Sequence, residues 1–438
     1  MERNKAHEGR AQKLEWFKQA RLGMFVHWGI HAVLGRGEQI LSRDVMPLTE
    51  FEPLADEFRP RSDWAERLAE DAVRAGMKYV VLTTRHHDGY CLFDTCTDSF
   101  NAAKTGPGRD LVAEYVQALR AAGLKIGLYY SLMNWRWRGY WDAASYPDEA
   151  QQMVSEAHAQ VCELMTNYGE IDVLWFDGGA PAGQRTPGQW AGEPMVEDQA
   201  AFWRADELLD MVRQLQPNAL LNNRSGLAGD FGTPEQQVQA EGEDRPWETC
   251  MTLNFAPGWG YLRHSLADKT PTEVLFHLVD SVRLGGNFLF NVGPRGDGLI
   301  DDRERRVLAP IGEWMRLHGQ AIYGTRPERI YPRGGHPQGP MFHYGMWTCK
   351  GNAGYFTLFY YPGEELIASK IGPGIVSAQL LATGQALKVE PMSNGRTRIS
   401  GLPAKPPGPL APVLKVQFEG PPYGVETRGA QWLEGGFR

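Results

Sequence analysis

The 438-residue sequence is poor in cysteine and has no long uninterrupted apolar run. Its cysteines are odd in number, scattered and without a C-x-x-C pair: Cys91, Cys96, Cys162, Cys250 and Cys349. This pattern argues against a disulfide framework and against a cysteine-based zinc site, and it predicts reduced thiols. No stretch reaches the roughly 20 apolar residues of a membrane span, and the charged first 21 residues lack the apolar core of a signal peptide. We therefore expect a cytoplasmic protein with no membrane partner.

An excess of basic residues is also absent. The net charge is −8 and the isoelectric point is about 5.8, so no basic face for nucleic acid is predicted. Aromatic residues, in contrast, are abundant, with 14 Trp, 16 Tyr and 18 Phe. Aromatic rings stack on the apolar faces of sugars, although they also fill protein cores. The composition therefore favours a carbohydrate ligand only weakly.

Short apolar runs alternate with amphipathic helical patterns between about residues 20 and 325. Continuous apolar runs of this kind are typical of strands covered on both faces in a parallel sheet. Six runs predict strands: 24–28, 78–84, 125–130, 171–176, 218–223 and 287–292. Because no dinucleotide-binding glycine motif accompanies them, the alternation predicts an α/β fold, a (β/α)8-like barrel.

The pattern changes after residue 325. Residues 332–340, PRGGHPQGP, are typical of a linker or loop. Beyond them, the runs 346–361, 375–384 and 413–420 predict strands separated by Gly, Pro and Asn. We therefore predict a catalytic barrel domain over residues 1–330 and a small all-β sandwich domain over residues 331–438.

Polar residues follow the ends of all six predicted strands, where the chemistry of a parallel barrel is located. These residues are His27 and Trp28, Arg85 to Asp88, Tyr130 and Ser131, Asp177, Asn223 and Arg224, and Asn291. Each one taken alone has an ordinary structural explanation, such as a turn or a hydrogen bond. Together they predict one polar pocket at the mouth of the barrel.

A carboxylate at a rigid strand end, surrounded by Trp, His, Arg and Tyr, suits a sugar. The oxocarbenium-like transition state of glycoside hydrolysis needs a carboxylate beside the anomeric carbon, and Asp177 is the candidate. A second carboxyl group must protonate the leaving oxygen. The segment after the fifth strand offers several, and spacing does not choose among them: Asp230, Glu235, Glu241, Glu243 and Glu248.

Two other functions fit the same residues. His27, His86, His87 and Asp177 could be ligands in a metal-dependent barrel hydrolase. Adjacent histidines, however, point to opposite sides of an extended chain, and the usual H-x-H spacing is absent. A non-catalytic sugar-binding protein is the second alternative.

The sequence resembles glycoside hydrolase family 29, the α-L-fucosidases. The resemblance covers nearly all of residues 13–325, and the HHDG, LWFDG and GNFLFNVGP motifs are specific to it. The matching segments are 16–29, 75–95, 108–131, 171–178, 222–235, 245–254 with 258–261, and 285–298. The resemblance implies a retaining exo-α-L-fucosidase that acts on fucosylated glycans and needs no metal or organic cofactor, and it is compatible with a homo-oligomer.

The resemblance also implies roles for individual residues. Asp177 matches the nucleophile of the family, and Glu235 matches the acid/base catalyst, with Glu248 in reserve. The positions that match sugar-contacting residues are His27, Glu38, His86, His87, Tyr130, Trp175, Arg224 and Trp259. One departure is Gln39, because many members have Trp after the residue that matches Glu38. We expect the missing aromatic wall to be supplied by Trp135 or Trp137, or to be absent.

Overall fold

The computed structural model describes residues 13–179, 198–240, 245–255, 258–265, 267–327, 330 and 343–425. By its internal contacts the chain divides into two compact units. One comprises Met1–Thr270 with Asn287–Ala309, and the other comprises Pro271–Gly286 with Pro310–Arg438. The predicted domain boundary between residues 330 and 331 stays a prediction, and the predicted linker 332–340 lies outside the described residues.

The first unit contains a seven-stranded parallel sheet in the order β5-β4-β3-β2-β1-β7-β6. The strands are β1 (Leu22–Val26), β2 (Tyr79–Arg85), β3 (Lys125–Ser131), β4 (Val173–Asp177), β5 (Leu220–Leu221), β6 (Glu248–Met251) and β7 (Asn287–Val292). The six predicted strands are confirmed, and β6 is an additional one. Its four residues include a buried Glu and a Thr, so no apolar run marks it in the sequence.

An irregular segment, residues 231–235, lies between the two edge strands of this sheet. Parallel bridges join Phe231 to Asn222, just after β5, and Glu235 to Cys250, within β6. Backbone hydrogen bonds continue the pairing, from the Cys250 N–H to the Pro234 carbonyl at 3.2 Å and from the Glu248 N–H to the Gly232 carbonyl at 2.9 Å. The segment therefore occupies the position of an eighth strand and closes the curled sheet, as a (β/α)8-like barrel requires.

Helices occupy the connections between the strands of the first unit, as the amphipathic patterns predict. The longer ones are Trp64–Arg74, Leu111–Ala121, Pro147–Asn167 and Ala205–Leu215. A helix over residues 13–20 precedes β1, and the helix Asp302–His318 follows β7 and has residues in both units. Short ones are Ile40–Arg43, Leu48–Phe51, Leu54–Glu57, Arg138–Trp141, Gln199–Phe202 and the 3-10 turn Ile30–Val33. Local signals explain the boundaries of Leu111–Ala121. The Asp110 side chain accepts a hydrogen bond from the Ala113 N–H at 2.8 Å, and Gly123 follows with a φ of +70°.

Alternate residues of the parallel strands fill the inside of the barrel, because successive side chains point to opposite faces. The buried cluster there is aromatic at its centre, with Phe25, Tyr79, Tyr129 and Trp175. Above it, the carboxyl ends of the strands carry the polar residues. The core therefore supports the floor of a polar mouth.

The second unit contains the helix Pro271–Arg283 and an antiparallel sheet ordered β10-β14-β13-β12-β15-β9-β8. Its strands are β8 (Gly345–Lys350), β9 (Ala353–Leu358), β10 (Glu365–Ala368), β12 (Ile375–Leu380), β13 (Ala386–Pro391), β14 (Thr397–Ser400) and β15 (Val413–Phe418). A small pair, β11 (Ile371–Gly372) with β16 (Tyr423–Gly424), and the 3-10 turns Gly319–Ala321 and Ser393–Gly395 complete the unit. The predicted fold class, a barrel followed by an all-β domain, is confirmed. No described helix has the length and apolarity needed to cross a membrane.

We predict that Gly23→Ala destabilises the barrel. A Cβ atom on Gly23 would overlap the buried ring of Tyr79, which packs against it inside the barrel. Overpacking of this kind costs about 1–3 kcal/mol, which lowers the melting temperature in calorimetry. The control is Gly296→Ala, whose Cβ would meet its nearest neighbour, Val33, at an ordinary 3.6 Å. Equal melting temperatures for the two variants would contradict the prediction.

Candidate active site

The carboxyl ends of the parallel strands enclose a cavity of about 300 Å³ in the first unit. A space of this size is at the lower end of small-molecule pockets and suits a single sugar ring. Most of the predicted site residues line it: His27, His86, His87, Trp175, Asp177, Arg224, Glu235 and Trp259. Glu38, Tyr130 and Glu248 do not. Glu241 and Glu243 lie outside the described residues.

Asp177 ends β4, and three groups contact its carboxylate. The Tyr129 hydroxyl donates to Oδ2 at 2.8 Å, and Arg224 Nη1 donates to Oδ1 at 3.0 Å. His87 Nε2 lies 3.8 Å from Oδ2. Burial disfavours the ionised form, but the charge of Arg224 and the other contacts outweigh it, so the pKa of Asp177 lies below its usual value of 3.8. Asp177 is therefore a carboxylate at neutral pH.

Arg224 joins Asp177 to the second predicted carboxyl group. Its Nη2 lies 2.8 Å from Glu235 Oε2, while its Nη1 binds Asp177. Thr233 holds the same guanidinium through its hydroxyl oxygen, at 3.0 Å from Nε, and its carbonyl oxygen, at 3.1 Å from Nη2. The central carbon of the guanidinium, Cζ, lies over the ring of Trp175, 4.7 Å from the ring centroid. These contacts fix a single cation between the two candidate catalytic groups.

Glu235 lies at the carboxyl end of the irregular segment 231–235. The backbone on both sides of it is bonded to β6, since the N–H of Gln236 donates to the Cys250 carbonyl at 3.0 Å. Gln236 adopts a left-handed φ of +56°, and its side-chain amide donates to the Thr252 hydroxyl at 3.0 Å. The segment thus places Glu235 at the pocket, where 36% of the Glu235 side chain is exposed.

The hydrogen bonds around His27 determine its tautomer. Asn291 Nδ2 donates to the Trp259 carbonyl at 2.7 Å, so Asn291 Oδ1 is the acceptor that lies 2.7 Å from His27 Nδ1. The proton of a neutral His27 is therefore on Nδ1. Burial lowers the pKa of His27 to about 3, which keeps the ring neutral. Its Nε2 is left to accept a hydrogen bond from a sugar hydroxyl.

His87 is arranged in the same way. The Ser131 hydroxyl donates to the Met133 carbonyl at 3.0 Å, so its oxygen accepts from His87 Nδ1 at 2.6 Å. Burial lowers the pKa of His87, although the nearby Asp177 raises it in part. His86 packs between the two histidines, with ring centroids 4.0 Å from His87 and 5.6 Å from His27. Its pKa is also lowered by burial, so the three rings form a neutral wall.

Trp259 covers His27, with ring centroids 5.0 Å apart. The buried carboxylate of Glu38 fixes the backbone at this point, because Oε2 accepts the N–H groups of Trp259 at 2.8 Å and of Gly260 at 2.7 Å. Glu38 thus orients an aromatic wall, and its predicted contact with the sugar stays a prediction.

Gln39 itself lines the cavity, at the position where the resemblance leads us to look for Trp. Neither Trp135 nor Trp137 is among the lining residues; Trp135 packs on His87 from behind, with ring centroids 5.0 Å apart. Among the residues that the structure describes, an amide and no replacement ring therefore lies on this side of the pocket.

Tyr130 is not brought to the pocket. Its hydroxyl donates to Gln160 Oε1 at 2.9 Å, under the helix Pro147–Asn167, and Arg85 lies over its ring at 4.5 Å. Tyr129 reaches Asp177 instead, because adjacent residues of β3 face opposite sides of the sheet. The sequence contains a signal for this orientation. Ser131 is also predicted to lie at the mouth of the barrel, and Tyr129, two residues before it, must lie on the same face of β3.

The remaining loop carboxylates have structural partners. Asp230 is buried, accepts from the Leu221 N–H at 2.9 Å and pairs with Lys13 and Arg213. Glu248 is fully buried within the barrel, where it contacts Tyr79 and Trp175. Among the described residues, no three His, Cys, Asp or Glu side chains are grouped as a bound metal ion would require.

Residues 2–320 match the family model for α-L-fucosidases. Bovine tissue α-L-fucosidase is 28% identical over 427 residues, which cover 90% of this chain and 86% of that protein. The solved structure of α-L-fucosidase isoenzyme 1 from Paenibacillus thiaminolyticus is 34% identical with a TM-score of 0.81, and the match covers 94% of this chain and 100% of that one.

A third relative is the family 29 α-L-fucosidase of Bacteroides thetaiotaomicron, solved as a trapped covalent intermediate with 2-fluoro-fucosyl fluoride. It is 27% identical with a TM-score of 0.79, and the match covers 93% of this chain and 96% of that one. Sequence motifs, fold and family match agree, and the chain belongs to glycoside hydrolase family 29, the α-L-fucosidases.

Proposed function

We propose that the protein is a retaining exo-α-L-fucosidase that releases terminal α-L-fucose from glycans through a covalent fucosyl-enzyme. The observation that carries the proposal is the pair of carboxyl groups on one guanidinium, with Asp177 ionised at a strand end and Glu235 across the pocket. The covalent intermediate trapped in the Bacteroides relative supports the same chemistry.

In the first step, Asp177 Oδ attacks the anomeric carbon as the bond to the glycosidic oxygen breaks. Glu235 transfers its proton to that oxygen, and the aglycone leaves as an alcohol. In the second step, the Glu235 carboxylate removes a proton from water, and the resulting hydroxide attacks the anomeric carbon. The ester bond to Asp177 breaks, Glu235 is protonated again, and the two inversions give net retention.

The walls of the pocket suit a deoxy sugar. Neutral His27 and His87 can accept hydrogen bonds from sugar hydroxyls, and the rings of Trp259 and Trp175 offer apolar surface to a pyranose face. The small volume of about 300 Å³ favours one terminal residue over an internal segment of a chain.

We also propose a cytoplasmic location, supported by the five cysteines, none of which is in a disulfide. A homo-oligomeric state, and the lack of nucleic-acid or membrane partners, stay predictions. The fucosylated glycan is the partner that the family implies.

The function is tested with purified protein and an aryl α-L-fucoside. We expect hydrolysis that EDTA does not affect, and NMR should detect the α-anomer of fucose first, because the mechanism retains configuration. Initial β-fucose would contradict retention, and EDTA-sensitive turnover would favour a metal-dependent hydrolase. Binding without turnover would favour a sugar-binding protein that is not an enzyme.

Asp177→Ala and Asp177→Asn should reduce kcat by several orders of magnitude, because no other group can form the covalent intermediate. The assay is release of the aryl group under saturating substrate. Asp206→Asn, an exposed change on the helix Ala205–Leu215, is the control and should leave kcat unchanged. If Asp177→Ala kept more than about a tenth of the activity, equivalent to ~1.4 kcal/mol of barrier, the assignment of the nucleophile would be wrong.

Glu235→Ala should harm poor leaving groups far more than good ones, since a good leaving group departs without protonation. We expect a large loss of activity on a fucosyl disaccharide and a small loss on a dinitrophenyl fucoside. Azide should accelerate turnover of the dinitrophenyl substrate, because it attacks the fucosyl-enzyme without base catalysis.

The matched variant is Glu248→Ala, for which we expect losses of similar size on both substrates. If the dependence on the leaving group belonged to Glu248, the acid/base catalyst would be Glu248.

A further inference from the structure

Glu248 places a carboxyl group in the core of the barrel, one layer below the pocket. It begins β6, and Cys250, two residues later on the same face, lines the cavity. No part of Glu248 is exposed to solvent. Glu248 Oε1 accepts from the indole Nε1 of Trp175 at 2.9 Å, and Oε2 accepts from the Tyr79 hydroxyl at 2.5 Å.

A buried carboxyl group is costly unless its oxygens are bonded, so it needs an explanation beyond packing. An indole N–H is a donor only, and a buried one takes the orientation that brings it to an acceptor. Glu248 supplies that acceptor and so fixes the rotation of the Trp175 ring. The opposite oxygen is anchored by Tyr79, which does not line the pocket.

Trp175 in turn supports both groups that hold the nucleophile. The guanidinium of Arg224 lies 4.7 Å above its ring, and the ring of Tyr129 stacks on it at 5.6 Å with an interplanar angle of 19°. Arg224 and Tyr129 each donate a hydrogen bond to Asp177. A tilt of the indole would therefore move both donors of the nucleophile at the same time.

We propose that Glu248 is a positioning residue for the reaction, which acts through the Trp175 indole to fix the two donors of Asp177. The proposal rests on the proposed function, since it assigns Asp177 the role of nucleophile. Glu248 itself touches neither the cavity nor the sugar, and it transfers no proton.

Burial raises the pKa of Glu248 to about 7. Below that pH the group is a neutral acid, which still has a carbonyl oxygen for the indole N–H. Glutamine keeps this oxygen, so Glu248→Gln is the conservative variant, whereas Glu248→Ala removes the acceptor.

A double-mutant cycle with Trp175→Phe tests the proposal, because Phe keeps an aromatic ring but lacks the indole N–H that donates to Glu248, and the cycle subtracts the effect of the smaller ring itself. With a dinitrophenyl fucoside, Glu248→Ala should lower kcat about 10- to 100-fold, as small misplacements of catalytic groups do. In the Trp175→Phe background the same change should cost less than about threefold. Glu248→Gln should keep kcat within about threefold of the wild-type value.

Tyr79→Phe is the matched control, because it removes the other hydrogen bond to Glu248 without touching a pocket residue. The loss caused by Glu248→Ala should persist in this background. If the losses from Glu248→Ala and Trp175→Phe simply multiplied, Glu248 would act only through the stability of the core. If Glu248→Ala did not fold, the Glu248→Gln and Trp175→Phe pair would decide, since a low kcat for Glu248→Gln with an unchanged melting temperature also contradicts the proposal.

The starting enzyme separates this proposal from the proposed function. A wild-type protein that does not hydrolyse the aryl fucoside refutes the fucosidase assignment. An active wild type without coupling between Glu248 and Trp175 refutes only the positioning role.

Discussion

The site depends on one half-buried guanidinium, that of Arg224. Arg224 touches Asp177 with one nitrogen and Glu235 with another, and Thr233 and the face of Trp175 hold it in place. During the proposed first step, negative charge leaves Asp177 as it becomes an ester and appears on Glu235 as it gives up its proton. Because the same cation adjoins both groups, the charge moves without losing its counterion. Little reorganisation is then needed in a medium where unpaired charge is costly.

The histidines that line the pocket are neutral because burial lowers the pKa of all three rings. Asn291 accepts from His27 Nδ1 and so places the proton of His27 on that nitrogen, and it also donates to the backbone carbonyl of Trp259. The Ser131 hydroxyl places the proton of His87 on Nδ1 in the same way. Glu38 is turned towards the backbone of the Trp259 loop. The wall facing the sugar is therefore set by hydrogen bonds outside the cavity, and its chemistry does not change over the neutral pH range.

Most of the fold was predictable from the sequence, since each of the six apolar runs contains or overlaps a strand of the parallel sheet and the helices follow amphipathic patterns. Two parts were not. The strand β6 contains the buried polar residues Glu248 and Thr249, so no apolar run marks it in the sequence. The irregular segment 231–235 has no periodic pattern because it pairs irregularly with its neighbours. For the site, the motifs locate the residues that line the pocket, whose catalytic roles stay predictions. The motif predicts Tyr130 at the site, whereas Tyr129 contacts Asp177, because position in a motif does not fix which face of a strand a residue occupies.

The irregular segment 231–235 affects which parts of the enzyme can change in length. Asp177, the proposed nucleophile, lies on a regular strand inside the sheet, where any insertion would shift the register of its neighbours. Glu235 lies on the irregular segment 231–235, which pairs with the sheet only through isolated β-bridges and is followed by the exposed Gln236. A loop of this kind tolerates changes in length that a strand does not. The segment that carries Glu235, the proposed acid/base catalyst, can therefore diverge by mutation or by engineering, while the strand that carries Asp177 stays as it is.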